Sequence, residues 1–109
     1  MGTGTSKREI PYEKLTISSH LIYSGQTIAS KASISNPSGG LTISKPGYYP
    51  IGIVGWSASG ASSGFITPGR LYTTDEAVGS CKVYWNFQNN ADSQLTGQGF
   101  SVRILWYKV

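Results

Sequence analysis

Hydrophobic positions in this chain recur at every second residue, and no run lasts long before Gly, Pro or Ser interrupts it. Cys81, Val83, Trp85 and Phe87 alternate with Lys82, Tyr84, Asn86 and Gln88, as in a strand with one dry and one wet face. Phe100, Val102, Ile104 and Trp106 repeat the pattern against Ser101, Arg103, Leu105 and Tyr107. Both rows place Trp85 and Trp106 in the core. The second face of the last strand, with Leu105, Tyr107 and Val109, is itself apolar, so it calls for either a covering sheet or another subunit.

The same periodicity predicts a strand through Ile28, Ala32 and Ile34, ending in a turn at Asn36-Pro37-Ser38-Gly39-Gly40. A short strand over residues 41–44 follows, then a Pro46-Gly47 turn into a strand over residues 48–57. That segment is apolar on both parities, which fits burial on two faces or a bulge at Gly52 or Gly55. Residues 57–64 read as a flexible loop, Pro68-Gly69 as a turn between Phe65-Ile66 and residues 70–73, and residues 89–99 as a long polar loop. Breakers leave no room for a long helix. The pattern predicts an all-β, antiparallel β-sandwich of jelly-roll-like topology, with an N-terminal arm over residues 1–14 and one domain over residues 15–109.

A chain of 109 residues has the size of one domain. Charged residues make up 13% of it, about half the usual ~25%, so Ser, Thr, Gly, Asn and Gln must cover the surface. Such a surface suits sugars, protein partners or self-assembly, and equally a plain solvated exterior. The net charge of +4 raises nucleic-acid binding, but Lys7 and Arg8 sit beside Glu9 and the other cations are scattered singly. A phosphate backbone calls for clustered cations, and no nucleic-acid partner is expected. The absence of an apolar leader or a membrane-length run implies synthesis in the cytoplasm, with no signal peptide and no membrane insertion.

Candidate chemistry is sparse. Gly60-Ala61-Ser62-Ser63-Gly64 matches the G-x-S-x-G nucleophile pattern, yet the following segment is strand-like and the one histidine, His20, lies upstream. Cys81 falls on the core parity of its strand, which disfavours a Cys81–His20 pair. The carboxylates Glu9, Glu13, Asp75, Glu76 and Asp92 show no catalytic spacing, and Gly2-Thr3-Gly4-Thr5-Ser6-Lys7 lacks the spacing of a phosphate loop. One Cys and one His give no metal-ligand set and no internal disulfide. No catalytic residue, metal or cofactor is expected.

Three segments carry a resemblance: Ile43-Ser44-Lys45-Pro46-Gly47-Tyr48-Tyr49-Pro50-Ile51-Gly52-Ile53-Val54-Gly55-Trp56, Arg70-Leu71-Tyr72, and Ile104-Leu105-Trp106-Tyr107-Lys108-Val109. Over residues 41–109 the chain resembles the C-terminal β-rich head domains of tail-fibre and receptor-binding proteins in phages and prophages of Gram-positive bacteria. The resemblance implies a trimerising β-sandwich head that binds host-surface carbohydrate without cofactors. The chain departs from that picture in starting at its own Met1, with no fibrous shaft or virion-attachment region ahead of the domain.

A sugar site needs an aromatic face for the pyranose ring and short polar side chains for its hydroxyls. Tyr84, Asn86, Gln88, Asn89, Asn90 and Asp92 form the richest such set, with Tyr48 and Tyr49 as a second. The expected function is a non-catalytic phage virion or tail-fibre-type module, structural and receptor-binding, located in the virion. Its expected partners are a cell-surface glycan, other virion proteins and its own copies, preferably as a homotrimer with Leu105, Tyr107 and Val109 at the contact. A free-standing lectin-like domain is the alternative, and a small enzyme with a site dispersed along the sequence is the third.

Overall fold

Seven antiparallel strands, without any α-helix, make up the residues described in the computed structural model, 12–60 and 63–109. The expected arm and the Gly2–Lys7 segment therefore lie mostly or wholly outside the described residues. A 3₁₀ turn, Tyr12–Lys14, leads into β1 (Leu15–Ile28), and the order continues β2 (Ser33–Ser35), β3 (Leu41–Ser44), β4 (Tyr48–Ser59), β5 (Ile66–Ala77), β6 (Ser80–Asn89) and β7 (Leu95–Lys108).

One sheet has the order β1-β7-β4. In the other, β6 is central, β5 runs along one edge, and β2 and β3 share the other edge end to end, pairing with residues 86–88 and 80–83 of β6. This is an all-β sandwich in the winding order of a jelly roll with one hairpin omitted. At the break between β2 and β3, Asn36 substitutes for a strand: its Oδ1 accepts the Trp85 backbone N–H at 3.0 Å and its own N–H donates to the Trp85 carbonyl at 3.2 Å.

The core lies where the inward rows of β6 and β7 meet. Cys81, Val83, Trp85 and Phe87 face Phe100, Val102, Ile104 and Trp106, and all eight are buried. The Phe87 and Phe100 rings stack between the sheets with centroids 4.2 Å apart and planes 5° off parallel. Tyr23 extends the stack on Phe100 at 5.5 Å, and Trp56 packs on Phe87 at 5.6 Å.

Other segments depart from the expected boundaries. The strand expected through Ile28, Ala32 and Ile34 is two strands in different sheets, separated by a turn in which Lys31 takes a positive φ of 62°. β4 carries both bulges, between Pro50 and Gly52 and between Ile53 and Gly55; its two-sided apolar pattern reflects these slips, with Ile51 and Val54 left exposed, rather than burial on both faces. A Cβ at Gly55 would meet the guanidinium of Arg103, the free end of an exposed side chain that can move aside. Pro68-Gly69 is a bulge inside the continuous β5, not a turn. The reversal comes at Val78-Gly79, where Gly79 (φ 96°) supplies the positive φ of a two-residue hairpin. The expected loops over 57–64 and 89–99 shrink, because β4 runs to Ser59 and β7 begins at Leu95.

The first half of β1 has inverted polarity: it turns the half-buried Ser18 and His20 inward and exposes Ile17 and Leu21, whereas Ile22 and Ile28 further along enter the core. The polar pair is satisfied locally. Trp106 Nε1 donates to Ser18 Oγ at 2.6 Å, and Ser18 Oγ lies 2.6 Å from His20 Nε2. Burial, with Lys45 adding a smaller repulsion, holds the His20 pKa below its ordinary 6.5, so the fold favours the neutral ring. The unfolded chain then takes up the His20 proton first as pH falls, and this contribution to stability is complete above 6.5 and lost below it. Thermal midpoints measured between pH 7.5 and 5 should fall with pH in wild type, and His20→Gln should flatten the upper part of that slope.

Candidate functional site

The outward face of the β6 sheet is built from β-strand parity. With the odd residues of β6 committed to the core, Lys82, Tyr84, Asn86 and Gln88 point away from it. The register sets Thr74, Tyr72, Arg70 and Thr67 of β5 beside them on one side, and Thr42, Ser35 and Ser33 on the other. At the centre, the Tyr72 and Tyr84 rings stack at 5.4 Å with planes 5° apart. Tyr84 leans over Gly40, where a Cβ would lie 2.9 Å from its ring. Tyr72, 44% exposed, is the ring with a face left for a ligand.

Next to the tyrosine pair, Gly69, Arg70 and Asn86 line an open depression of about 410 Å³, within the roughly 300–1,000 Å³ of small-ligand clefts. The bulge at Gly69 shapes it: a Cβ there would approach Asn86 Oδ1 to 2.7 Å. Asn86 is oriented from its other side, with Nδ2 donating to Ser35 Oγ at 2.9 Å.

The expected ligand set divides. Tyr84 and Asn86 lie together on this face. Gln88 shares the face but its amide donates to the Lys31 carbonyl at 2.7 Å, and Asn90 is turned to the Phe65 carbonyl and Thr67 Oγ1 at 3.1 and 2.9 Å. Asp92 pairs with Lys31 at 3.3 Å on the surface. Asn89, expected in an exposed loop, is 0% exposed. Its Nδ2 donates to the carbonyls of Ile28, Ala29 and Ser93 at 3.0, 3.1 and 3.1 Å, while Oδ1 accepts the Ala91 N–H at 2.8 Å. Asn89 thus ties the β6–β7 loop to the end of β1 and is scaffold. The sequence held a signal for this, since Asn89 continues the odd row of Cys81 to Phe87. Arg70 and Tyr72 were hidden by the reading of Pro68-Gly69 as a turn. The second candidate pair splits: Tyr48 is half-buried under Lys45, whose Nζ is 4.5 Å from the ring centroid, whereas Tyr49 is exposed opposite Tyr107 on the other sheet.

The reactive side chains are drawn into the fold. Burial, with a smaller contribution from Glu76, pushes the Cys81 thiol up in pKa, so it stays protonated. His20 is held by Ser18 and Trp106. Ala61 and Ser62 of the Gly60–Gly64 motif lie outside the described residues; Ser63–Phe65 is a 3₁₀ turn that opens into β5.

The outward face of the β1-β7-β4 sheet has a different character. Register brings Ile17 beside Leu105 and Tyr107 beside Tyr49. Ile17 and Leu21 are 58% and 61% exposed, Ile51, Val54 and Val109 are exposed, and Leu105 and Tyr107 are half-covered. Patches of this kind mark interaction surfaces.

Comparison of the chain with protein-family models, with curated proteins and with solved structures found no match. The two faces therefore carry the functional reading by their chemistry alone.

Replacing Asn89 by Ala removes the side-chain contacts to Ile28, Ala29, Ala91 and Ser93, those to Ile28 and Ala91 buried, and should lower unfolding free energy by about 3 kcal/mol. Urea denaturation checks this, and a variant as stable as wild type would return Asn89 to the ligand candidates.

Proposed function

We propose that this chain is a non-catalytic carbohydrate-binding module of the phage virion or tail-fibre type, using the outward face of the β6 sheet for a cell-surface glycan. The observation that supports this reading is the stacked Tyr72–Tyr84 pair beside Arg70 and Asn86, on a face otherwise made of Ser, Thr and amide side chains. An aromatic ring accepts the apolar side of a pyranose, and neighbouring guanidinium and amide groups bond its hydroxyls. Within this reading the module works by surface complementarity alone, with no bond made or broken.

The apolar outward face of the β1-β7-β4 sheet supports self-association, with Leu105, Tyr107 and Val109 at the contact and a homotrimer as the preferred assembly. A free-standing lectin-like domain is the second reading, favoured by a ligand face that lies wholly within one chain. Association with purified particles, against free protein in the lysate, separates the two.

On a glycan array, wild type should bind a defined set of saccharides and Tyr72→Ala should lose that binding with its thermal midpoint nearly unchanged, since Tyr72 is a partly exposed edge-strand residue. An array blank for wild type would sink the carbohydrate reading. Leu105→Lys puts an unpaired charge into the proposed contact and should convert an oligomer to monomer. Light scattering reads this directly, and a wild-type chain that is monomeric at tens of micromolar would remove the oligomer from the proposal.

A further inference from the structure

Arg70 is the unassigned charge on the ligand face. The other cations there are matched to carboxylates at the two ends of the sheet, Lys82 with Asp75 at 3.6 Å and Lys31 with Asp92 at 3.3 Å. Glu76, near the hairpin, accepts from Thr73 Oγ1 at 2.7 Å. Among the described residues no carboxylate comes within ion-pair distance of Arg70, which is exposed at the rim of the depression floored by Gly69 and Asn86. A guanidinium has five donors, no acceptor and a fork that matches a carboxylate or phosphate, so it favours an acid over a plain hydroxyl.

Spacing along β5 connects this charge to the aromatic platform. Arg70 and Tyr72 are two residues apart on one face, roughly 7 Å along the strand, close to the width of one sugar ring and its substituent. The cross-strand pairs Arg70–Asn86 and Tyr72–Tyr84 are consecutive on that face. Gly69 leaves the depression open between backbone and Asn86, and Asn86 Oδ1 faces it as an acceptor for a hydroxyl.

We propose that this depression is an anion subsite: the ligand is an acidic saccharide whose carboxylate or phosphate sits on the Arg70 guanidinium while the sugar ring lies on Tyr72. This rests on the reading of the β6-sheet face as the ligand face, and adds the charge class of the ligand.

The test uses the full chain and four polymers: polygalacturonate and its carboxyl-reduced form, and phosphomannan and its dephosphorylated form. Wild type should bind at least one of the acidic polymers, and neutralising that polymer should weaken binding about tenfold or more. The polymer bound tells carboxylate from phosphate. Arg70→Gln should cause a similar loss, Arg70→Lys a smaller one because the fork is gone, and half-molar salt should weaken wild type far more than Arg70→Gln. Gly69→Ala, which crowds Asn86 Oδ1 at the depression without removing the charge, should also reduce binding. Thermal midpoints of the Arg70 variants should match wild type. Binding to neutral polymers that is insensitive to Arg70→Gln but lost in Tyr72→Ala overturns the anion subsite and leaves the ligand face standing. Binding to acidic polymers that neither variant affects overturns both, and failure of wild type to bind either acidic polymer at millimolar charge overturns the subsite.

Discussion

The sandwich depends on the contact between its two central strands. β6 and β7 follow each other in sequence, lie in different sheets, and join through the parallel stack of Phe87 on Phe100. Each is hydrogen-bonded on both edges and has one face made of large apolar side chains, so their inward rows are fixed in register and in direction. Once those rows are fixed, the other strands are placed by pairing. Their polar sides are presented outward whether or not they carry function. The Asn89 side chain secures the crossing from one sheet to the other, where a loop would otherwise leave carbonyls of the β1 end without donors.

The parts of the fold that were legible in sequence are those where polarity and parity agree. β6 and β7 show clean alternation because one face of each is dry. β1 was not legible, although it is among the longest strands, because its first half turns the half-buried Ser18 and His20 inward and exposes Ile17 and Leu21. Its inward polar groups are tolerated because Trp106 offers an indole N–H across the sheet, a pairing between residues 88 positions apart that no local window contains. Pro68-Gly69 misled for a related reason: the same dipeptide serves a turn or an edge-strand bulge, and only the register with β6 distinguishes them.

Legibility of the candidate site followed the same division. Tyr84 and Asn86 could be assigned to the wet face from β6 alone. Their partners Arg70 and Tyr72 required knowing that β5 runs unbroken beside β6. The amides of the β6–β7 loop were overvalued, since short polar side chains look alike in sequence whether they await a ligand or hold backbone carbonyls. Tertiary partners, rather than residue type, decide between these roles, and for the fully buried Asn89 they decide for scaffold.

The pairing of β1 with β7 has a mechanical consequence. Leu15 lies opposite Tyr107, so the two ends of the sandwich emerge side by side at the same end of the sheet. A force that pulls these ends apart meets the interstrand bonds one at a time and opens them as a zipper. A force along β1 alone, resisted at the far face of the sandwich, must instead shear the ten paired positions between Leu15 and Ile28 together. Held by one end and loaded through its face, the domain resists as a clamp; stretched between both ends, it peels.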